Sequence, residues 1–339
     1  MRFLQLAVHM TRYRTTLTLV TFLLAGAVWH QGQAGLSVRF ALAATALAAA
    51  YASLTSLNDL ADERIDRVNL RGHADRPLVA ATASRRELAL LAVGAAATAV
   101  VCAALASPLV GGLVLAAVVL YSQYSLPPLR LSHRPLLTPF CLALGYAVLP
   151  YLIGVLAAGG RLGPRDAFLL PGLFALFLAR IVHKDFRDRK GDALAGKPTF
   201  LLRYGKPATC AFGLTALAAG SALLLAALRD TPLLAAATLP FLAALAVLQV
   251  RLARACALLD ELVAVGLGAR AGNGLLLTLL GLVLLRSQGA EATAQAALYA
   301  VIAGADGWLL LSYLRDPGSF TFGSHAIQEA MRDERAQPA

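Results

Sequence analysis

Apolar stretches long enough to cross a bilayer recur from one end of this 339-residue chain to the other. They are read as membrane helices near 15–34, 37–57, 86–106, 109–124, 136–158, 166–183, 207–228, 231–253, 268–286 and 293–314. The fourth is short, and the ninth could begin as early as Leu262, just after Asp260 and Glu261. Nine or ten spans is therefore the expectation. Only 14% of residues are charged, 58% are hydrophobic and the mean hydropathy is +0.68, which excludes an ordinary soluble domain. The triplet Ala25-Gly26-Ala27 lies inside the first apolar run rather than closing it, so that run reads as a retained span and not a cleaved leader. The predicted fold is all-α: a polytopic membrane bundle of nine or ten helices around a central cavity. In sequence it divides into an N-terminal cytoplasmic segment (1–14), a transmembrane domain (15–315) and a polar, flexible cytoplasmic tail (316–339).

Orientation follows from the basic residues. With the N-terminus inside, 25 of the 30 Lys and Arg fall on inner segments; only Arg39, Arg161, Arg165, Arg229 and Arg286 lie outside. The positive-inside rule then predicts a multi-pass cell-membrane protein in which two acidic stretches, 58–66 and 185–192, lie on the cytoplasmic side. A net charge of +11 is accounted for by this topology and by anionic lipid, so the bilayer is the expected partner and nucleic acid is not. Nothing in the sequence asks for an obligatory protein partner. Cys102, Cys141, Cys210 and Cys256 are scattered, the first three within apolar spans, and read as packing residues.

Two short acidic runs stand out against this background. One is Asn58-Asp59-Leu60-Ala61-Asp62-Glu63-Arg64-Ile65-Asp66, an N-D-x-x-D-x-x-x-D pattern; the other is Asp185-Phe186-Arg187-Asp188-Arg189-Lys190-Gly191-Asp192, a D-x-x-D-x-x-x-D pattern. With Glu63 and Asp75 the two regions hold eight of the nineteen carboxylates. The spacing i, i+3, i+7 puts the acids of each run on one helix face, where like charges repel and a cation is needed. Hard oxygen ligands suit Mg²⁺, which takes one or two carboxylates together with substrate phosphates. A single run would equally be a solvated acidic helix end; two with the same spacing argue for metal. Following spans two and six at one membrane level, the runs are expected to border one cavity.

Between them lies Tyr121-Ser122-Gln123-Tyr124-Ser125-Leu126-Pro127-Pro128-Leu129-Arg130-Leu131, whose prolines end the preceding helix and whose hydroxyls and guanidinium suit a phosphate. Acids flanked by Arg64, Arg71, Arg76, Lys184, Arg187 and Lys190 point to a ligand with more than one negative charge, and the adjoining apolar bundle to a hydrocarbon tail. A lipid diphosphate satisfies both. If it is allylic, cationic groups can take up charge on the departing diphosphate, and a dry cavity shields the developing carbocation.

These residues resemble a known family. The first acidic run, the following Asp75-Arg76-Pro77-Leu78-Val79, the Tyr124-Ser125-Leu126-Pro127-Pro128-Leu129-Arg130 loop and the second run are similar to the UbiA superfamily of intramembrane prenyltransferases, by motif over roughly 58–205 and by topology elsewhere. The resemblance implies an all-helical bundle, usually of nine spans, that holds Mg²⁺-diphosphate between its acidic motifs. It also implies transfer of a prenyl group from a polyprenyl diphosphate donor to an aromatic or other lipophilic acceptor, as in quinone or related prenyl-lipid synthesis. Carried over, the metal positions are Asn58, Asp59, Asp62, Asp66, Asp185, Asp188 and Asp192, with Asp62, Asp66, Asp188 and Asp192 catalytic. Arg76, Tyr124, Arg130, Lys184 and Arg187 become diphosphate contacts. Where many members carry a Lys-Arg pair after the proline-rich loop, this chain has Ser132-His133-Arg134, leaving Arg130 or Arg134 to substitute. The stretch from Lys184 through Gly205 is closer to quinone- and tocopherol-type members than to haem O synthases.

Competing readings attach to several residues. His183 either steers a phosphate or is a helix-end histidine at the interface; His73 and His133 read as solvated. Asp306, deep in the last apolar segment, is costly to bury and reads as functional by default, with packing through Gly304, Gly307 and Trp308 as the alternative. Asp260 and Glu261 read as an interfacial turn, and Arg180 as lining the cavity or snorkelling. At the level of function, the alternatives to acceptor prenylation are a UbiA-type terpene cyclase, a phosphoribosyl-type transferase and a polyprenyl-lipid-binding protein or transporter. A transporter fits poorly, because coupling acids sit near the midplane. The D-G-x-x-A-R signature of CDP-alcohol phosphotransferases is absent.

Overall fold

A computed structural model describes residues 2–31, 37–70 and 76–317. Arg71, His73, Asp75 and the tail beyond 317 lie outside the described residues. The chain forms two compact units, Met1–Pro164 and Arg165–Ala339.

The first unit runs α1 (Arg2–Met10), α2 (Tyr13–Gln31), α3 (Val38–Asn69), α4 (Arg85–Ala106), α5 (Pro108–Ser125), α6 (Leu137–Ala143) and α7 (Leu149–Ala157), with a π-helical turn, Leu144–Val148, joining the last two. Local chemistry sets the starts. Ser37 caps α3 by accepting from the Phe40 amide at 3.1 Å. Ser84 and Glu87 form a reciprocal capping box at α4 (3.2 and 2.7 Å), and Ser107 caps α5 ahead of Pro108. Apolar side chains give helices no drive to associate in lipid, so close approach rests on small residues. Helices α2 and α7 use Gly26 and Gly154: a Cβ would stand 2.1 Å from the Tyr151 carbonyl oxygen at the former and 1.9 Å from that of Leu23 at the latter.

The second unit runs α8 (Asp166–Ile181), a 3₁₀ turn (Val182–Lys184), α9 (Asp185–Leu194), α10 (Phe200–Ala227), α11 (Pro232–Arg254), α12 (Leu258–Ser287) and α13 (Ala292–Arg315). Helices α8 and α10 cross at Gly172 and Gly220, again where a side chain would meet backbone (3.1 and 2.8 Å). Within α10 the backbone breaks at Gly205, whose φ of 77° suits only glycine, just before Pro207. Helix α13 buries Asp306 and Tyr313, packs Leu298, Ile302 and Leu310 half-buried against α12, and leaves Val301, Trp308, Leu311 and Leu314 exposed.

Among the described residues nine helices are long and apolar enough to span a membrane, and α2 contributes a shorter apolar stretch, Thr15–His30. The expected count of nine or ten therefore stands, but several limits change. The helix expected at 37–57 continues through the first acidic run to Asn69, because polar residues end the hydropathy signal without ending the backbone ladder. The span expected at 166–183 ends as α8 at Ile181, with the second acidic run on a separate helix, α9, after the 3₁₀ turn. The start expected at 207 falls at the Gly205 break that sets Phe200–Tyr204 off from the rest of α10, and the span expected at 268–286 begins at Leu258. Both acidic runs are helical.

The α2–α7 contact leaves no room for a methyl group. Gly154→Ala is expected to lower stability by about 1–3 kcal/mol, read as a fall in the thermal midpoint of detergent-purified protein. Gly94→Ala, where a Cβ meets nothing within 4 Å, serves as the neutral comparison. Equal midpoints for the two variants would show that the close approach is not required.

Candidate functional site

In the first unit the predicted helix face exists. Asp59, Asp62 and Asp66 of α3 are 2%, 5% and 8% exposed, while Arg64 and Arg67 point outward. Burying three carboxylates on one face is tolerable only with partners. Asp59 accepts from two guanidiniums, Arg12 at the α1–α2 joint and Arg76 beyond α3. Arg76 also places Nε 3.3 Å from Asp66 Oδ2. Asn58 Nδ2 donates to Asp62 Oδ2 at 3.1 Å, one turn along the face. Burial disfavours the charged form of Arg12, yet Asp59 outweighs it and the pKa stands above the ordinary arginine value, so Arg12 is a fixed cation. Glu63 lies on the outer edge, paired with Arg67 (2.9 Å) and Arg85, and takes no part in this face.

Asp59 Oδ2 is buried and makes no hydrogen bond, and the buried Asp66 Oδ2 has the Arg76 ion pair at 3.3 Å but no hydrogen bond. Oxygens of this kind on a shared face are what a hard cation requires, so these residues fit Mg²⁺. Among the described residues no group of three His, Cys, Asp or Glu is placed to hold a metal ion by itself. Mg²⁺ here would need phosphate and water for the rest of its shell.

The second unit repeats the pattern on a shorter helix. Asp185 and Asp192 are buried and Asp188 is partly exposed. Asp185 accepts a hydrogen bond from the Leu201 amide, in the first turn of α10, where free N–H groups favour an anion. Asp188 is gripped by its neighbour Arg187 through Nε (2.8 Å) and Nη2 (3.2 Å). Asp192 Oδ1 stands 3.8 Å from Lys197 Nζ, and its carbonyl accepts from the Lys197 amide at 2.9 Å. Lys184 is half-buried at the 3₁₀ turn and Lys190 is exposed.

In the first unit's tyrosine loop, Tyr124 and Ser125 are buried at the end of α5. Arg130 is half-buried with a left-handed backbone (φ 41°), and Arg134 is exposed. His183 is not the interfacial histidine expected: it is 6% exposed, and its ring leaves no space for a Cβ on Gly213, 2.6 Å from Nε2. His133 is half-buried. Arg180 Nη1 donates to Asn273 Oδ1 at 2.8 Å. Asp306 lies against Gly274 of α12, and Arg270 Cζ sits 4.1 Å from the Tyr313 ring centroid. Packing does not run through Gly304, Gly307 or Trp308: the glycines meet nothing within 4 Å and the tryptophan is exposed. All four cysteines are free.

Two participants escaped the sequence reading. Arg12 is, in sequence, one more inner-side charge, and Glu261, expected at an interfacial turn, is buried on α12. Neither carries a local signal, since each contacts its motif partner across 47 and 72 residues of sequence.

A search of curated protein sequences finds no match. Solved structures do match in fold. A UbiA homologue from Archaeoglobus fulgidus bound to GPP and Mg²⁺ is 18% identical, with a TM-score of 0.58 over 91% of this chain and 99% of that one. The apo structure of a UbiA homologue from Aeropyrum pernix K1 is 20% identical, with a TM-score of 0.61 over 81% and 98%. A digeranylgeranylglyceryl phosphate synthase is 15% identical, with a TM-score of 0.56 over 85% and 97%. The family model described as UbiA prenyltransferase family matches residues 18–261, taking in both acidic runs and the tyrosine loop between them. The chain belongs to the UbiA prenyltransferase family.

Proposed function

We propose that this protein transfers a prenyl group from a polyprenyl diphosphate to an aromatic or other lipophilic acceptor, with Mg²⁺, at the cytoplasmic side of the cell membrane. The observation that carries this reading is the buried carboxylate face of α3, with an Asp59 oxygen that makes no hydrogen bond and two guanidiniums, Arg12 and Arg76, among its acids. Family membership and the second run with the same spacing support it. So does the presence of GPP or DMAPP with Mg²⁺ in the Archaeoglobus homologues.

Asn58, Asp59, Asp62 and Asp66, together with Asp185, Asp188 and Asp192, would hold the metal. When bound, Mg²⁺ supplies neutralisation of the carboxylates and of the charge that gathers on the departing diphosphate. The chain does the rest. Arg76 and Arg187, each already on a motif carboxylate, bring fixed positive charge to the diphosphate, and Lys184, Arg130 and Tyr124 add further donors. The bond between the prenyl C1 and the diphosphate oxygen breaks with its electron pair going to oxygen. The acceptor's electron pair then bonds to C1, and the acceptor gives up a proton. Apolar helix faces keep water from the carbocation in the interval.

Membranes carrying the protein should turn over labelled prenyl diphosphate with a phenolic acceptor only when Mg²⁺ or Mn²⁺ is present, and EDTA should stop them. Full turnover in a metal-free preparation would end the reading. Thiols introduced at the exposed positions Arg134 and Ala195 should react from the same, cytoplasmic face; reaction from opposite faces would deny the two runs a common substrate.

Asp62→Ala and Asp188→Ala should each lower turnover by at least about 100-fold, roughly 3 kcal/mol of barrier. The double variant should be little worse than either alone, since both acids serve one metal–diphosphate assembly. Glu63→Ala, on the outer edge of α3, should stay near the parent rate. Near-normal turnover of both aspartate variants, measured on folded purified protein, would make the acidic runs mere surface features.

A further inference from the structure

We propose that Glu261 is a positioning residue for the second acidic run: its carboxylate holds Arg189 away from Asp185 and Asp192. This rests on the reading that those aspartates take up metal.

Glu261 lies in the first turn of α12 and is 6% exposed. It is the shared anion for two cations from different helices, Arg189 Nη2 of α9 at 2.6 Å and Lys206 Nζ of α10 at 2.9 Å. Lys206 also donates to the Ala255 carbonyl, beside the end of α11. One buried carboxylate therefore ties α9 and α10 to the start of α12.

Arg189 is the residue this clamp controls. On α9 it lies four residues after Asp185 and three before Asp192, both within side-chain reach on a helix. Its guanidinium instead turns toward Glu261, passing 5.3 Å from the centroid of the Phe186 ring. Phe186 is buried among Leu201, Cys210, Leu252 and Ala264, and so fixes the same edge of the helix. Helix α9 is only ten residues long and strongly polar, and among its side chains only Phe186 is a buried hydrophobic. On the edge that carries Arg189, its orientation is set by Phe186 and the Glu261–Arg189 contact, beside the Asp185–Leu201 and Asp192–Lys197 contacts on its acidic face. Without the Glu261 charge, Arg189 is free to swing onto the motif aspartates and compete there with a divalent cation.

The test is the Mg²⁺ concentration that gives the half-maximal rise in thermal midpoint of the purified full-length enzyme without substrate, with the concentration for half-maximal turnover measured alongside. Glu261→Gln should raise that concentration by about tenfold or more, the range expected when a partner behind metal-binding groups is lost. Adding Arg189→Gln to it should bring the value most of the way back, because the competing cation is gone. A purely structural role predicts the opposite, further loss in the double variant. Should Glu261→Gln fail to fold, Glu261→Asp, which keeps the charge one methylene short, should raise the same concentration several-fold. An unchanged Mg²⁺ requirement in the folded variant, or no recovery in the double variant, overturns the role of Glu261 alone. A parent enzyme that needs no divalent metal overturns the functional reading instead.

Discussion

Three carboxylates within eight residues of one helix, each nearly sealed from solvent, is the condition to which the first unit answers. A charge left unpartnered in such surroundings is strongly unfavourable, and deleting one member of a buried pair typically costs about 3–5 kcal/mol. Helix α3 meets the condition by recruiting cations from elements on either side of it in sequence: Arg12 from the α1–α2 joint and Arg76 from the chain beyond α3. The balance remains incomplete, because Asp59 Oδ2 makes no hydrogen bond. That shortfall is what the proposed metal would meet.

The second unit answers the same condition differently. Its acids are met by near neighbours, Asp188 by Arg187 and Asp192 by Lys197, and by the backbone amide of Leu201 at the head of α10. Short-range partners suit a ten-residue helix that has little apolar surface with which to anchor itself. Longer-range order comes through Glu261, which gathers α9 and α10 at the base of α12.

Much of this was legible in the sequence, because the signals are local. Apolar runs give the helices, and the i, i+3, i+7 spacing gives the buried acidic faces before any contact is known. Helix ends were not legible wherever charge is absorbed into the fold. Asp59, Asp62 and Asp66 looked like the end of a span, yet α3 runs on to Asn69; Asp260 and Glu261 hid the first ten residues of α12 for the same reason. His183 read as interfacial because its sequence neighbours are charged, whereas glycine at 213, thirty positions later, makes room for the ring. Contacts between residues distant in sequence, such as Arg12 with Asp59, have no periodicity to betray them.

The α1–α2 joint has a practical consequence. Thr55 of α3 donates to the Met10 carbonyl at 2.6 Å, and Arg12 lies on Asp59 only two residues further on. The segment ahead of the first apolar stretch is thus stitched to the acidic helix. A shortened version begun at Thr15 would look harmless on a hydropathy plot. It would nonetheless strip one of the two guanidiniums from the most deeply buried carboxylate of the first unit's acidic face, and with it the register between that face and the N-terminal helix.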